Sequence, residues 1–271
     1  MSTATTPTSA GVIAAAREEG RAALVGYLPA GFPDVAGSIE ALRAMVDAGC
    51  DVLEIGLPYS DPVMDGPTIQ AAAQQALEAG TRTSDVVRVV EAVAATGVPT
   101  LVMTYWNPVE RYGVDRFARD LANAGGAGLI TPDLVPDEAG AWVRAADEHG
   151  LDKVFLVAPS STDERLAMTT AACRGFVYAT AVMGVTGARE ASSTLAGPLV
   201  ERVRRVTDLA VGVGLGVSDG DQAAEVAGFA DAVIVGSAFV RRLLDAGSDS
   251  ARGLASLTEL TRDLADGVRR A

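Results

Sequence analysis

DVLEIGLPYSDPVMDGPTIQ, residues 51–70, puts one carboxylate in the middle of an apolar strand and a second in the loop that follows. Val52, Leu53, Ile55 and Leu57, framed by Gly49 and Gly56, form a short apolar run bounded by turn signals, the mark of a strand buried in a parallel sheet. Side chains alternate along a strand, so Glu54 shares a face with Val52 and Gly56 while Leu53 and Ile55 share the other. A βα unit covers both faces, and an ionised carboxylate there is costly unless it is paired. None of the other apolar runs that read as strands carries an arginine, and the single lysine, Lys153, stands at the mouth of one. An unpaired, desolvated Glu has its pKa pushed upward, which suits a group that gives and takes protons near neutrality. The competing explanations are a structural ion pair for Glu54 and, for Asp65, a solvated residue in a Pro- and Gly-punctuated turn.

Working outward, residues 22–27 read as a first strand closed by Pro29, Gly31 and Pro33, and Asp34 opens a helix. Ile39, Leu42, Met45 and Val46 share one face of that helix before Gly49 ends it, which completes a βαβ unit. Downstream, strands are predicted at 99–105, 128–131, 153–158, 176–181, 209–214 and 232–235. Helices are predicted at 68–79, 85–96 with Ser84 as cap, around Val114, Phe117 and Leu121, from Pro136, at 163–172, 194–206 and 218–227, and as one terminal helix to Val268. Trp106, Asn107 and Pro108 break the third strand, and Pro132 with Asp133 ends the fourth. Strict alternation predicts a parallel α/β fold, and eight units fit a single (β/α)8 TIM barrel. The rival, an open doubly wound sheet, lacks its GxGxxG turn: Gly26 and Gly31 are interrupted by Pro29. The expected organisation is one barrel domain over 12–271 behind a disordered tail, 1–11, whose residues MSTATTPTSAG have neither the cationic start nor the apolar core of a signal peptide.

Composition narrows the chemistry. The 271 residues are 49% hydrophobic with a formal net charge of -13, spread without long acidic blocks, which argues against a nucleic-acid partner. No run approaches the roughly 18 apolar residues of a membrane span, so a cytoplasmic location is expected. Cys50 and Cys173 lie far apart without CxxC spacing, in keeping with a reducing compartment. His149 is the only histidine, and a zinc or iron centre normally recruits several, so no metal site is expected.

Glycines gather after the last three strands: Gly184 and Gly187, then Gly214 and Gly216, then Gly236 with Ser237 at the head of a helix. Glycines let backbone amides approach an anion, and a helix N-terminus adds its dipole, so this reads as a phosphate site without a lysine. Each glycine alone also reads as a turn residue. Tyr27, Tyr105 and Tyr178 stand at predicted strand ends, with Tyr59 in the acidic loop. Together with Met103 and Ile130 they can wall an apolar pocket around Glu54. The implied ligand has a flat apolar part, a phosphate at its other end, and a proton-transfer centre between.

The run LEIGLPYSDPVMDGPTIQ, with GVTG, GLGVS and VGSA downstream, resembles the tryptophan synthase alpha chain from about residue 22 to the C-terminal helix. The resemblance implies a barrel enzyme that cleaves indole-3-glycerol phosphate to indole and glyceraldehyde 3-phosphate by a retro-aldol reaction. Under it, Glu54 would match the acid/base that protonates the indole carbon, and Asp65 the carboxylate facing the ring nitrogen. Tyr178 would match the tyrosine near the acid/base, Tyr27 and Tyr105 the pocket wall, and Gly187, Gly216, Gly236 and Ser237 the phosphate cradle. Thr186 would match the threonine of a mobile lid. Leu215 stands where many relatives carry Phe, and Ala181 where many carry Ser. The family implies no cofactor in this chain and a partner, the pyridoxal phosphate-dependent beta chain, in an αββα complex. The loops 58–65 and 182–193 are the candidate lids or partner contacts, with Asp61 and Arg189 as candidate residues in them.

The chemistry agrees by elimination. A Schiff-base aldolase needs an active-site lysine, and Lys153 falls at the start of its strand, away from the substrate loops. A metal aldolase needs ligands that one histidine cannot supply. Two rivals stay open: another phosphate-binding barrel, such as an isomerase or a synthase, and a catalytically idle barrel that activates a partner.

Overall fold

The computed structural model describes residues 8–180 and 193–270. Eight parallel strands, β1 (Ala23–Pro29), β2 (Val52–Gly56), β3 (Thr100–Met103), β4 (Gly128–Thr131), β5 (Asp152–Val157), β6 (Phe176–Thr180), β7 (Ala210–Gly214) and β8 (Ala232–Val235), pair in chain order, and β8 returns to β1 to close a barrel. Around them run α1 (Ser9–Glu18), α2 (Val35–Ala48), α3 (Pro67–Glu78), α4 (Thr83–Ala94), α5 (Trp106–Tyr112), α6 (Val114–Asn123), α7 (Gly140–His149), α8 (Asp163–Ala172), α9 (Ser193–Arg204), α10 (Gly220–Ala227), α11 (Ser237–Ala246) and α12 (Ser250–Val268). The predicted TIM barrel is the observed fold, and the open sheet is excluded by the β1–β8 pairing.

Alternation along each strand feeds two cores. Val25, Val52, Leu101, Ile130, Val154, Phe176 and Ile234 point into the barrel and pack on one another. Leu24, Leu53, Ile55, Val102, Leu129 and Val233 point outward against helix residues such as Leu42, Met45, Val90, Phe117 and Trp142. Glu54 shares the inward face of Val52, so the strand period alone delivers a carboxylate to the barrel interior.

Local signals mostly hold. Asp34 accepts the Gly37 N–H at 2.7 Å to cap α2, and Gly49, at φ +116°, ends it in a conformation that glycine adopts without strain. Thr162 caps α8 through the Arg165 N–H at 3.2 Å. Pro67 occupies the first turn of α3.

Five expectations are corrected. The tail was expected to run to Gly11, but α1 begins at Ser9, because Ser9 Oγ reaches the buried Asp152 carboxylate at 2.5 Å and Ile13 and Ala16 plug the barrel where the strands begin. Ser84 lies inside α4, not at its cap; the Asp85 carboxylate accepts the Arg82 N–H at 3.0 Å and starts the helix earlier. Pro136 precedes α7 by a turn, since the helix begins at Gly140. α10 starts at Gly220, capped by Asp219 through the Gln222 N–H at 2.9 Å. The terminal helix is two, parted at Gly247, with Asp249 capping α12 through the Arg252 N–H at 3.0 Å. In addition, Trp106 does more than break β3: it opens α5.

Candidate active site

Glu54 is fully buried in β2, and neither carboxylate oxygen has a hydrogen-bond partner among the described residues. Burial pushes its carboxyl up to about 8, so it carries a proton at neutral pH. The structural ion pair that competes with a catalytic reading is therefore absent among the described residues. Lys153 is engaged elsewhere, its Nζ 2.5 Å from Asp147, at the end of β5 where α1 plugs the barrel.

Two tyrosines flank Glu54, and each rests on a glycine. Tyr27 is the register partner of Glu54 across β1 and β2. Its hydroxyl occupies the place of a side chain at Gly56, where an added Cβ would stand 2.1 Å away, and its ring lies 3.3 Å from a Cβ built on Gly236. Tyr178 lays its hydroxyl over Gly214, 2.7 Å from an added Cβ. Loss of solvent raises both phenols well above their ordinary range; the charge of Glu54 adds to this at Tyr178, and those of Asp65 and Glu54 at Tyr27. Ile130 packs in the same interior, with Met103 partly buried against it.

Asp65 closes the mouth from the loop after β2. Partial burial raises its carboxyl, and a hydrogen bond from the Tyr105 hydroxyl offsets part of the rise. The same hydroxyl accepts the Met64 N–H at 3.0 Å, and burial pushes the Tyr105 phenol up to about 12. Gln70, on α3, donates from Nε2 to the Asp65 carbonyl at 2.7 Å. Tyr59 packs on Tyr105 with ring centroids 5.3 Å apart.

On the far side of the mouth, Gly216 follows β7 at φ +69°, where a side chain would be strained, and is exposed. Gly236 offers α11 no side-chain cap, which leaves the amides at Ser237 and beyond for an anion. Thr186, Gly187 and Arg189 lie outside the described residues, as do Gly184 and Ala181. Leu215 is buried in the outer core. Asp61 is exposed on the acidic loop and accepts the Ser60 hydroxyl at 2.5 Å.

The structure thus gathers Glu54, Asp65, Tyr27, Tyr105 and Tyr178 at one end of the barrel, with Gly216, Gly236 and Ser237 at the ends of the neighbouring late strands. Sequence reasoning missed Gln70 and the seating roles of Gly56 and Gly214. A signal existed for the glycines, since each falls on the inward face of its strand, but the tyrosine that fills each place comes from another strand. Among the described residues no group of three or more His, Cys, Asp or Glu is assembled to hold a metal ion. No described helix is long and apolar enough to cross a membrane.

The family model described as tryptophan synthase alpha chain matches residues 13–269. The chain is 66% identical over 254 residues to the tryptophan synthase alpha chain of Acidothermus cellulolyticus, covering 94% of each chain. It is 67% identical over 254 residues to that of Salinispora arenicola, covering 94% of this chain and 95% of the relative. Among solved structures it matches a chain of Mycobacterium tuberculosis tryptophan synthase with a TM-score of 0.91 and 57% identity, over 96% of this chain and 98% of that one.

Proposed function

The chain belongs to the tryptophan synthase alpha chain family, the lyase component of tryptophan biosynthesis, and from that premise we propose that Glu54 and Asp65 carry the cleavage of indole-3-glycerol phosphate to indole and glyceraldehyde 3-phosphate. The observation that supports this most directly is Glu54 itself, fully buried inside the barrel with no hydrogen-bond partner among the described residues and its carboxyl raised by burial.

Glu54 gives its proton to the indole ring carbon that bears the glycerol side chain. The ring nitrogen takes up positive charge, and the Asp65 carboxylate faces it in a water-poor mouth, where such stabilisation is strong. The ring is then the electron sink that a lysine imine provides in other aldolases. Glu54, now a carboxylate, accepts the proton of the adjacent side-chain hydroxyl; the carbon–carbon bond breaks, its electrons return to the ring, and indole and the aldehyde part. Tyr27, Tyr105, Tyr178 and Ile130 hold the ring. Gly216, Gly236 and Ser237 hold the phosphate; Gly187 and Thr186, outside the described residues, are assigned to substrate binding by the family motif alone.

The chain works with the beta chain as an αββα assembly, and pyridoxal phosphate belongs to that partner. Asp61, exposed on the loop after β2, is a candidate contact with that partner, and Arg189, outside the described residues, is the other candidate. The cytoplasm is the compartment, a reading supported by two free cysteines, Cys50 and Cys173.

Indole release, measured for the chain alone and with its beta chain, tests the assignment. Glu54→Gln keeps the shape and removes the titrating proton, and turnover should fall about 10²- to 10⁴-fold. Asp65→Asn should also lose most turnover. Wild-type rates in the Glu54 variant would overturn the assignment in favour of a barrel that only activates its partner.

A further inference from the structure

A second carboxylate near the mouth takes no part in the chemistry above, yet is joined to Asp65 by an unbroken set of contacts. Asp133 follows β4 and accepts the backbone N–H of Trp106 on both oxygens, at 2.9 and 3.1 Å. Trp106 is the first residue of α5, and Tyr105 before it supplies no side-chain cap. The helix therefore takes its cap from the exit of the neighbouring strand. Asn107, next along, donates from Nδ2 to the Tyr59 hydroxyl at 3.0 Å. The Tyr59 ring lies on the Tyr105 ring, and the Tyr105 hydroxyl meets the Asp65 carboxylate while accepting the Met64 N–H.

Each contact fixes the next. A short helix with no cap of its own sets where Asn107 points. Asn107 sets Tyr59, and Tyr59 limits the tilt of Tyr105, which is the described side chain that hydrogen bonds the Asp65 carboxylate. Asp133 is exposed at its outer edge, and what ties it to the site is geometric: both of its oxygens are turned to the Trp106 amide.

We propose that Asp133 is a positioning residue for Asp65, acting through the first turn of α5 and the Tyr59–Tyr105 pair. It sets the direction of Asp65 and leaves substrate affinity alone. The inference rests on the reading of Asp65 as the carboxylate that faces the ring nitrogen.

The test is indole release from indole-3-glycerol phosphate by the complex with the beta chain, for wild type, Asp133→Ala, Asp133→Asn, Tyr59→Phe, Asp65→Asn and the Asp133→Ala/Asp65→Asn pair. Asp133→Ala should lower kcat about tenfold at a nearly unchanged KM, as expected for a misaimed group. Asp133→Asn, which keeps an acceptor oxygen for Trp106, should restore most of the rate. The acidic limb of the kcat–pH profile should move upward in Asp133→Ala, because Asp65 loses the hydrogen bond that favours its charged form. In the Asp65→Asn background the Asp133 change should add little. A tenfold loss that persists in that background, or a lowered Tm with kcat intact, would overturn the proposal. If Asp133→Ala does not fold, Tyr59→Phe decides: it cuts the same chain at one hydroxyl, and an unchanged kcat overturns the proposal. Full activity of Asp65→Asn would instead remove the reading of Asp65 itself, and is seen separately in the same assay.

Discussion

At the scale of single residues, Glu54, the acid/base proposed above, carries a stability cost. Its carboxyl ordinarily titrates near 4.5 and here near 8. Below the ordinary range both folded and unfolded chains hold the proton, and there is no penalty. As pH rises toward about 8 the unfolded chain releases the proton while the folded chain keeps it, so stability falls; above about 8 the penalty is complete. At roughly 1.4 kcal/mol per pKa unit the ceiling is about 5 kcal/mol. Glu54→Leu, similar in volume and without charge, should therefore be more stable than wild type by a few kcal/mol at pH 8 and by much less at pH 5. Denaturant unfolding at the two pH values checks this, and an equal difference at both would mean that Glu54 titrates normally. Glu54 was legible in the sequence because strand periodicity is local and a carboxylate interrupting an apolar run is visible in the letters. Tyr27 on Gly56 and Tyr178 on Gly214 were not, because each pair joins two strands whose register no local pattern reports.

At the scale of elements, α1 shows how a polar contact can place a helix that composition hides. Its first residues are small and polar, and the sequence pattern reads as a tail. Ser9 nevertheless donates to Asp152, which is almost fully buried at the start of β5, and Arg174 Nε approaches that carboxylate only to 3.9 Å. Burial raises the Asp152 carboxyl, and the two Ser9 hydrogen bonds pull it back down. Ser9→Ala leaves a buried carboxylate short of a donor and should cost about 1.5–3 kcal/mol. The loss should appear as a lower Tm with indole release at low temperature unchanged, since the site lies at the opposite end of the barrel. A Tm equal to wild type would mean that α1 is held by Ile13 and Ala16 alone. α5 teaches the same lesson: its cap, Asp133, lies 27 residues away in sequence.

At the scale of the whole molecule, closure depends on the last helix as well as on β8. α12 packs on α2, α10 and α11 and so spans the seam between the start and the end of the chain. It does so through bare backbone: a Cβ on Gly267 would stand 2.2 Å from the Gly220 carbonyl oxygen. Gly267→Val has no flexible side chain to push aside there, and should lower stability by about 3 kcal/mol or more. Calorimetry should show the whole transition shifted down, and a Tm within a degree of wild type would show that the α10–α12 contact is dispensable.

The sequence alone determined the alternating strand and helix order, the inward carboxylate at Glu54, the second one at Asp65 and the glycine-rich exits of the late strands, because each depends on spacing within one segment. Tertiary structure alone decided that Glu54 has no described partner, that Tyr27 and Tyr178 fill the space of glycines on other strands, and that Asp65 is held by Tyr105 and Gln70. Those facts concern which faces meet when eight strands close into a ring, and a side chain's neighbours across that ring are set by register and closure, not by the residues beside it in the chain.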